Sequence, residues 1–393
     1  MGEWKETTLT ALCTDISYGY TESAKLEKVG PKFLRITDIT NGRINWGNVP
    51  FCPISESDFN KYKLLPGDIV IARTGATTGA NYTIKKGDPS YLVFASYLIR
   101  YKIDRTKAEP SFIGQLLRSA NWQDYVDAIA GGSAQPGANA KQLGSFEILL
   151  PEIPEQTAIA SVLSSLDDKI DLLHRQNATL EKMAETLFRQ WFVEEAKEDW
   201  KEVSLFKAIE LVGGGTPKTS LSKYWDGNVK WLSGGDIANN HKNFVVSSEK
   251  SITELGLKNS SAKLLPKFST VISARGTVGK YCMLSEPMAY SQSNYGILPK
   301  YKNCFFFTYL LVAYSVDELQ SAVYGSFFDT ITTNTFKGIT ITLPKETHII
   351  WFEETVKPYF FKILANRTQI RTLTALRDTL LPKLMSGEVR VEV

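Results

Sequence analysis

Cysteine and histidine are scarce in this chain, and their scarcity excludes several classes of protein. Among 393 residues there are four cysteines, widely spaced and without a CxxC pair, and three histidines. Such a set predicts neither a disulfide framework nor a zinc site. Because His174, His241 and His348 are scattered through the sequence, they also suggest no metal cluster and no catalytic triad.

Long apolar runs are missing as well. No uninterrupted apolar stretch approaches the 18 residues typical of a membrane span, and the N-terminus lacks a basic segment followed by an apolar one. We therefore expect no membrane contact and a location in a reducing cytoplasm.

Motifs for nucleotides and cofactors are also absent. The run Gly213-Gly214-Gly215-Thr216-Pro217-Lys218-Thr219 lacks the GxxxxGK[ST] spacing of a phosphate loop, and Pro217 removes one backbone N–H that such a loop requires. The sequence contains neither a GxGxxG dinucleotide fingerprint nor an aromatic-flanked Asn/Asp-Pro-Pro stretch. We expect a non-catalytic polypeptide that holds no cofactor and no metal of its own.

Net charge is only +3, but the charge is unevenly distributed. Residues 1–150 carry a net charge of +2 and residues 201–345 carry +6, whereas residues 151–200 carry −6. Mild basicity in two long segments permits nucleic-acid binding without establishing it. With 43% apolar residues, the chain is long enough for two or three domains with full cores.

The most informative feature of the sequence is an internal repeat. The same landmarks occur in the same order in both halves, at offsets of about 193 to 200 residues: Trp4-Lys5-Glu6 and Trp200-Lys201-Glu202, Asp38-Ile39 and Asp236-Ile237, Leu64-Leu65-Pro66 and Leu264-Leu265-Pro266, Ile148-Leu149-Leu150-Pro151 and Ile341-Thr342-Leu343-Pro344. The period is that of a whole domain rather than of a solenoid repeat. A chain with two similar domains suits a partner with two similar, separated features, such as duplex DNA with two half-sites.

Each half ends in a heptad pattern, which predicts a long helix. The two patterns are related by a constant offset of 193 residues, and their positions are Leu163, Leu166, Ile170, Leu173, Asn177, Leu180, Ala184, Leu187 and Trp191, then Val356, Tyr359, Ile363, Asn366, Ile370, Leu373, Arg377, Leu380 and Leu384. Prolines at 151, 154 and 344 separate each helix from the domain before it. The predicted order is a domain at 1–150, a helix at 151–199, a domain at 200–344 and a helix at 345–393.

The expected arrangement is an intramolecular antiparallel coiled coil with the globular domains at opposite ends and approximate two-fold symmetry. From Leu163 to Trp191 the coil would extend about 42 Å at about 1.5 Å per residue, and one turn of B-DNA is about 34 Å. A plain dimerisation coil is the alternative. Asn177 and Asn366 are either a pair that fixes the register or two independent polar defects.

The globular segments mix short β-like runs with helical stretches, so we predict α/β or α+β domains. The predicted strands include 69–72, 91–99, 271–273 and 338–343, and the predicted helices include 111–127 and 306–322. Two Gly-punctuated loops, 72–79 and 274–280, carry an arginine and hydroxyl groups that could contact phosphates or base edges. The alternative for each is a simple turn between strands with a solvated arginine.

Other polar loops supply further candidates, because Asn and Gln can bind adenine and Arg or Lys can bind guanine. The candidate DNA-binding residues are Arg43, Asn45, Arg73, Thr74, Thr77, Thr78, Gln135, Asn139 and Lys141 in the first half, and Lys218, Asn240, Lys242, Arg275, Thr277, Lys280, Gln292, Asn294 and Asn334 in the second. The aromatic residues Tyr97, Tyr295, Phe327 and Phe328 could stack on bases, although most aromatics of the chain must lie in cores.

Several short motifs resemble one family when taken in order. They are Gly214-Gly215-Thr216-Pro217, Tyr224-Trp225-Asp226-Gly227, Trp231, Asp236-Ile237, Leu150-Pro151-Glu152-Ile153-Pro154-Glu155-Gln156, Leu187-Phe188-Arg189-Gln190-Trp191-Phe192 and Leu381-Pro382-Lys383-Leu384-Met385-Ser386-Gly387-Glu388. This set, spanning essentially the whole chain, resembles the specificity subunits of type I restriction-modification systems. Two departures are that the first half keeps only Gly19-Tyr20-Thr21 of the GGTP motif, and that Lys345-Glu346-Thr347-His348 replaces the expected Glu-Gln.

The resemblance implies a DNA-recognition subunit of bacterial or archaeal phage defence. Two target-recognition domains would each read half of a bipartite site, and the two conserved spacer helices would set the gap and dock two methyltransferase subunits. Those partners would methylate adenine using S-adenosylmethionine, and restriction subunits would add ATP- and Mg-dependent translocation and cleavage. The alternative function is a non-catalytic coiled-coil scaffold that binds protein partners without reading DNA.

Overall fold

The computed structural model describes residues 4–40, 42–131, 137–323 and 330–391. The chain divides into two compact units, of which the first contains residues 1–171 and 372–393 and the second contains residues 172–371. Within the described ranges, no helix is both long enough and apolar enough to cross a membrane.

The first unit contains eight strands and five short helices among its described residues, followed by the beginning of a long helix. In chain order these are β1 (Lys5–Thr8), β2 (Cys13–Tyr18), β3 (Lys32–Leu34), α1 (Ile36–Ile39), α2 (Glu56–Tyr62), β4 (Asp68–Ala72), β5 (Asn81–Thr83), β6 (Leu92–Phe94), β7 (Leu98–Ile103), α3 (Pro110–Leu116), α4 (Ala120–Ala130), α5 (Ala140–Gly144), β8 (Glu147–Leu150) and α6 (Ile153–Arg189).

The main sheet of the first unit has the order β2-β7-β4-β5 with all neighbours antiparallel. Strand β4 reads Asp-Ile-Val-Ile-Ala and is buried along its whole length, because it lies inside the sheet with packed elements on both faces. Two smaller pairs complete the unit: β1 is antiparallel to β8, and β3 is parallel to β6. The first and last strands of the globular domain are therefore paired with each other.

The second unit repeats this order of elements. After a π-helical turn at Gln190–Glu194, its elements are β9 (Lys201–Ser204), α7 (Leu205–Ala208), β10 (Ile209–Gly213), β11 (Trp225–Leu232), α8 (Gly234–Asn239), β12 (Phe244–Val245), β13 (Lys250–Ile252), α9 (Glu254–Lys258), β14 (Thr270–Ser273), β15 (Tyr281–Leu284), β16 (Ala289–Tyr290), β17 (Asn294–Pro299), α10 (Phe305–Ser321), α11 (Thr333–Gly338), β18 (Thr340–Leu343) and α12 (Glu346–Met385).

The sheets of the second unit match those of the first. The order β10-β17-β14-β15 corresponds to β2-β7-β4-β5, with β12 added at one end, and β9 pairs with β18 as β1 pairs with β8. The parallel pair of β11 and β16 corresponds to the pair of β3 and β6, with β13 added beside β11. The predicted fold class, mixed helix and sheet in two similar domains joined by long helices, is confirmed.

Some predicted elements differ from the observed ones. The predicted strand 91–99 is two strands, β6 and β7, separated by a turn at 95–97, and the last strand of the second unit begins at Thr340 rather than at Gly338, which ends α11. The predicted helix 111–127 is interrupted because the Ser119 hydroxyl accepts a hydrogen bond from the Trp122 N–H and starts a new helix.

At the Leu-Leu-Pro landmark, the residues that are equivalent in the structure differ by one position from those that the sequence letters align. The Leu64 N–H donates to the Leu92 carbonyl and the Leu265 N–H donates to the Met288 carbonyl, each at 3.0 Å. Leu64 and Leu265 are also the buried members of their pairs. The structural offset here is therefore 201 residues, whereas the identical Leu-Leu-Pro letters give an offset of 200.

The long helices α6 and α12 run antiparallel within each unit. In the first unit, Leu163 shares a core cluster with Leu384, and Asp167 bonds to Arg377. In the second unit, Asn177 bonds to Asn366, and the rings of Phe188 and Phe352 lie 5.9 Å apart. The prediction of two long heptad helices is confirmed.

Pro154, which was predicted to separate the first domain from its helix, lies within that helix, and α12 also contains prolines. Pro154 lies in the first turn of α6, where a missing N–H has no cost. Pro358 lies inside α12, which continues through it for more than two dozen residues. Buried neighbours on both sides, Val356 and Phe360, hold this stretch in helical form although a proline there removes one helical hydrogen bond.

The heptad positions lie inward on both helices. Those that are buried are Leu163, Ile170, Leu173, Asn177, Ala184, Val356, Ile363, Asn366, Ile370 and Leu384, and those that are half-buried are Leu166, Leu180, Leu187, Trp191, Tyr359, Leu373, Arg377 and Leu380. A second apolar stripe, not predicted, contains Phe188, Phe352 and Phe360 and joins the core of the second unit's globular domain. The long helices therefore also contribute side chains to the domain cores.

Candidate nucleic-acid interface

In the first unit, several loops meet at one edge of the main sheet. This is the edge at which β2 and β4 end and β5 and β7 begin. Backbone hydrogen bonds join the loops there: the Tyr20 N–H donates to the Phe94 carbonyl at 2.8 Å, the Arg73 N–H to the Tyr97 carbonyl at 3.1 Å, and the Ala138 N–H to the Arg73 carbonyl at 2.9 Å. We call residues 19–24, 35–38, 73–79, 95–97 and 137–140 the first loop edge.

The second unit has the same arrangement at the equivalent edge. The Gly215 N–H donates to the Tyr290 carbonyl, the Ala274 N–H to the Ser293 carbonyl, and the Ile331 N–H to the Ala274 carbonyl, each at 3.0 Å. We call residues 213–218, 233–236, 274–280, 291–294 and 331–334 the second loop edge. Two similar polar surfaces are thus built by equivalent backbone contacts.

The two Gly-punctuated loops are hairpin turns between antiparallel strands, β4 to β5 and β14 to β15. In each turn the outer glycine, Gly75 or Gly276, has positive φ and open space where a side chain would lie. A donor from the neighbouring helix holds the far side of each turn: Trp122 Nε1 donates to the Gly79 carbonyl and Gln320 Nε2 to the Val278 carbonyl, both at 2.9 Å. The tips are therefore exposed while their bases are fixed.

The incomplete GGTP motif of the first half has a steric explanation. Gly19 occupies the place of Gly214, and a Cβ on either residue would lie within 2.3 Å of a carbonyl oxygen, Ala95 O or Ser291 O. At the next position, Gly215 is pressed against the backbone of residues 261–262, whereas Tyr20 packs on the Tyr62 ring with centroids 5.2 Å apart. Only the first glycine is needed in both halves.

Most predicted DNA-binding residues lie on or beside the two loop edges. Exposed or half-buried there are Arg73, Thr74, Thr77, Asn139 and Lys141 in the first unit, and Lys218, Arg275, Thr277, Lys280, Gln292 and Asn334 in the second. The aromatic candidate Tyr97 is 61% exposed at the first edge, and Tyr295 is half-buried near the second. Gln135, Phe327 and Phe328 lie outside the described residues.

Two predicted contacts are not surface groups. Thr78 is buried and its hydroxyl donates to the Gly75 carbonyl at 2.7 Å, which closes the turn. Asn294 is only 1% exposed, and its Nδ2 donates to Ser291 Oγ at 2.7 Å. Polar composition alone could not separate these structural residues from exposed ones, because both kinds occur in the same short loops.

Three other candidates, Arg43, Asn240 and Lys242, lie where a globular domain meets a long helix of its own unit, and a fourth lies close to Arg43 in sequence. Burial lowers the pKa of Arg43; the charge of Asp171 opposes this shift and the charge of Arg377 adds to it. Asn240 Oδ1 accepts a hydrogen bond from Arg367 Nη2 at 3.3 Å. The charge of Lys242 opposes the rise that burial causes in the pKa of Glu181. The fourth candidate, Asn45, is two residues from Arg43, and its Oδ1 accepts the Gly47 N–H at 3.1 Å. These four do not join the hairpin turns.

The sequence interpretation missed Arg35. Asp38 Oδ2 accepts the Arg35 backbone N–H at 2.9 Å and its Nε–H at 3.0 Å, while Asp38 Oδ1 accepts from Nη2 at 2.9 Å. The hydrogen bonds that Arg35 donates to the Asp38 carboxylate raise the pKa of its guanidinium. The repeated Asp-Ile landmark was the signal for this site: Asp38 and Asp236 both cap helices, and the residue three positions before each lies at the loop edge.

An open groove of about 700 Å³ adjoins Arg35. Its lining comes from three segments, residues 20–24, 33–37 and 95–97, most of which belong to the first loop edge. Nearby, the Arg73 guanidinium lies over the Tyr18 ring, 4.9 Å from its centroid. Two arginines, each held in place by a neighbour, thus lie at one edge of the first unit.

The helix pair carries its own polar contacts. Asn366 Nδ2 donates to Asn177 Oδ1 at 2.8 Å and both residues are buried, so the asparagines form a pair rather than separate defects. That this pair fixes the register stays a prediction. On the second unit's stretch of the helices, Met183, Leu187 and Tyr359 help to line an apolar groove of about 570 Å³.

Family comparisons agree with the duplicated layout. The family described as "Type I restriction modification DNA specificity domain" matches residues 1–182 and 197–354, which are most of the chain and include both loop edges. The chain belongs to this family. Membership in the type I DNA specificity family confirms the resemblance seen in the short motifs, and it favours a DNA-recognition subunit over the scaffold alternative.

Individual members of the specificity family are distant in sequence. The chain is 27% identical to the type I restriction enzyme MjaIX specificity subunit of Methanocaldococcus jannaschii, covering 72% of this chain and 69% of that protein. It is 23% identical to the type I restriction enzyme HindI specificity subunit of Haemophilus influenzae, covering 99% of this chain and all of that protein.

A solved structure supports the fold of this specificity-family chain. The crystal structure of the type I restriction-modification S subunit from M. genitalium aligns with a TM-score of 0.66 and 15% identity, covering 97% of this chain and 96% of that one. At this level of identity the comparison shows the fold alone. The residues that read DNA must therefore be argued from this chain's own loop edges.

Proposed function

We propose that the chain is the sequence-reading subunit of a type I restriction-modification complex, in which each globular domain reads one half of a bipartite DNA site. The observation that carries this proposal is the duplicated loop edge. Each edge gathers polar side chains on turns whose bases are fixed by backbone hydrogen bonds, and rigid turns of this kind can bring arginines and amides to base edges and phosphates.

The catalytic steps belong, in this proposal, to partner subunits. Two methyltransferase subunits would supply S-adenosylmethionine chemistry on adenine, which requires the base to leave the stack. Restriction subunits would use ATP and Mg²⁺, and this chain would hold no cofactor of its own. We expect the complex to act in the cytoplasm of its host.

The experiment that tests this function is methylome sequencing. A host that expresses this chain together with its modification subunit is compared with the same host lacking only this chain. The expected result is a new bipartite adenine-methylation motif with a fixed gap. If the complex assembles but no motif emerges, the chain is a scaffold and the proposal fails.

We further propose that the paired helices set the gap between the two half-sites. Seven-residue insertions placed after Leu173 and after Ile370, each four residues from the Asn177–Asn366 pair on its own helix, preserve the heptad pattern. They lengthen the coil by about 10 Å. The motif should then keep both half-site sequences and gain about three base pairs of gap, at about 3.4 Å per base pair. An unchanged gap contradicts this role.

The apolar groove beside Met183 is our candidate docking site for a methyltransferase subunit. Met183 is 43% exposed on the helix surface, and exposed apolar side chains favour protein partners. Met183→Asp should reduce co-purification of that subunit by at least tenfold. Leu26→Asp is the control, because Leu26 is 87% exposed on a loop of the first globular domain. Equal losses from both variants would argue against this groove.

A further inference from the structure

At the first loop edge, one side of the Arg35 guanidinium is hydrogen-bonded to Asp38 and the other side is exposed. Asp38 takes the Nε–H and one Nη2 N–H, so three of the five N–H groups remain. Among the residues that the structure describes, none accepts a hydrogen bond from those three. The Arg35 side chain is 39% exposed, whereas Asp38 beneath it is 9% exposed.

The remaining donors have the geometry of a base reader. With its Nε side held by a carboxylate, the guanidinium cannot rotate freely, and its Nη1 and Nη2 groups form a fork that is fixed before binding. Such a fork matches the O6 and N7 acceptors that guanine presents in the major groove. We propose that Arg35, positioned by Asp38, reads a guanine in the half-site of the first domain; this inference rests on the proposed function.

The charges around Arg35 favour a base edge over a phosphate. Asp38 compensates the charge of Arg35, and the groove beside them is also lined by the exposed carboxylate of Glu22. Arg35, Asp38 and Glu22 together carry a net charge of −1, so a phosphate entering here would find no net attraction. A base pair presents neutral acceptors and donors, so a guanine can bind Arg35 without that attraction.

The second loop edge lacks this fork. Ser233 occupies the place of Arg35, and its Oγ donates to Asp236 Oδ2 at 2.7 Å within the equivalent helix cap. The cap is therefore shared by both units, while the arginine belongs to the first alone. The same comparison supplies a test variant, since Arg35→Ser gives the first domain the cap that the second already has.

The first experiment uses the assembled complex in cells. Methylomes are determined for the unmodified chain, Arg35→Ser, Arg35→Lys and Arg105→Ser. Arg105 is the control because it lies at the opposite end of β4, where its Nη2 donates to the Pro66 carbonyl at 2.9 Å. We expect both Arg35 variants to lose the preference for guanine at one position of one half-site, by roughly 5- to 150-fold. The control should keep the full motif.

The second experiment separates base reading from phosphate binding. The purified complex is bound to oligonucleotides that carry guanine or 7-deazaguanine, which lacks the N7 acceptor, at the affected position. The unmodified chain should lose at least fivefold in affinity on 7-deazaguanine, and Arg35→Ser should lose nothing more. The dependence of affinity on salt should be the same for both proteins, because no phosphate contact is removed.

Three outcomes would overturn the inference. They are an unchanged motif in Arg35→Ser, an absence of guanine from the affected half-site, and a uniform weakening across sequences with a salt slope smaller by about one, which is the mark of a phosphate contact. If the unmodified chain itself gives no motif, the proposed function fails and this inference fails with it. A defect in folding is detected separately, because it would lower methylation at both half-sites and lower the unfolding temperature.

Discussion

Equivalent positions of the two long helices contact their globular domains through different interactions, ionic in the first unit and aromatic in the second. The offset of 193 residues between the heptad patterns makes Asp167 of α6 the counterpart of Phe360 of α12. Asp167 accepts hydrogen bonds from Arg118 at 2.6 Å and Arg377 at 3.0 Å. Phe360 instead stacks on Phe306, with ring centroids 4.5 Å apart and planes 8° apart. One junction is an ionic network and the other is an aromatic stack.

The same division between shared backbone and divergent side chains occurs at the loop edges. Gly19 and Gly214 are both required because a Cβ would collide with a carbonyl oxygen, whereas Arg35 and Ser233 fill equivalent cap positions with different groups. The two halves therefore share the residues that close backbone contacts require and differ in side chains where several residue types fit. Two units of one topology should then differ in their response to truncation, salt and pH.

Phe360→Ala should have the largest effect, because it removes a buried ring from an aromatic stack. Truncating a buried phenylalanine costs about 3–5 kcal/mol, and loss of a purely apolar contact should not depend on salt. Hydrogen exchange of α10 amides should accelerate at both low and high salt, while α3 and α4 stay unchanged. The control is Phe361→Ala, since Phe361 is 46% exposed. Equal acceleration in both variants would contradict the stacking argument.

Asp167→Ala should destabilise the first unit by about 2–3 kcal/mol, between the values for exposed and buried ion pairs. Burial would raise the pKa of Asp167, but Arg118 and the hydrogen bonds from Gln115 and Arg377 lower it overall. Its stabilising effect is therefore complete above the ordinary aspartate pKa of about 3.9 and disappears as pH falls through its lower folded value. The unfolding free energies of the variant and of the unmodified chain should converge in acid.

The neighbour of Asp167 provides the control for that prediction. Asp168 pairs with Lys85 at 2.8 Å, but the two side chains are 65% and 51% exposed. Asp168→Ala should therefore change the free energy of unfolding by less than about 1 kcal/mol. If the two aspartate variants lose the same amount, the ionic junction does not stabilise the first unit as we argue.

Features that depend on local rules could be predicted from the sequence. The heptad spacing gave the two long helices, and the Asp-Ile pair gave a landmark of the duplication that the structure places in two helix caps, since Asp38 and Asp236 each accept the backbone N–H of the capping residue. Both signals depend on residues within a few positions of one another. They hold whatever the remote parts of the chain do.

Features that depend on remote neighbours could not be predicted. Asn294 reads as an adenine contact, yet the fold buries it against Ser291. Arg35 was overlooked because its value as a reader depends on a groove built from three separate segments of chain.

A third comparison concerns how each long helix holds the start of a domain helix. In the first unit, Gln156 Oε1 accepts the Glu109 N–H and Gln156 Nε2 donates to the Pro151 carbonyl, both at 2.8 Å. In the second unit, Ile349 takes the place of Gln156, and Glu353, one helical turn later, accepts from the Phe306 and Phe307 N–H groups. This explains why the expected Glu-Gln pair is missing from the second helix.

Exchanging the two side chains should damage both junctions. Glu353→Gln turns an NH₂ group toward a backbone N–H, and Gln156→Glu turns a carboxylate oxygen toward the Pro151 carbonyl. Each change leaves buried polar groups without partners and should cost about 1–3 kcal/mol. Denaturant unfolding of each variant measures this loss. A neutral effect of either substitution would mean that water restores the missing hydrogen bond.

The smallest expected effect concerns pH in the second unit. Burial, together with the charge of Glu185, raises the pKa of Glu181 to about 7, although Arg367 and Lys242 oppose the shift. The folded state therefore binds a proton at this site that the unfolded chain releases near pH 4.5, so stability should fall as pH rises from about 4.5 to about 7. This direction is the reverse of that for Asp167.

Glu181→Gln removes the titrating group while keeping its shape. The variant should match the unmodified chain in unfolding free energy at pH 5 and exceed it modestly at pH 8, as measured by urea unfolding across that range. Glu185→Gln should give an intermediate result, because it removes one cause of the raised pKa and leaves burial in place. If Glu181→Gln is equally stabilising at pH 5 and pH 8, its effect does not arise from ionisation, and the opposite pH responses of the two units must have another origin.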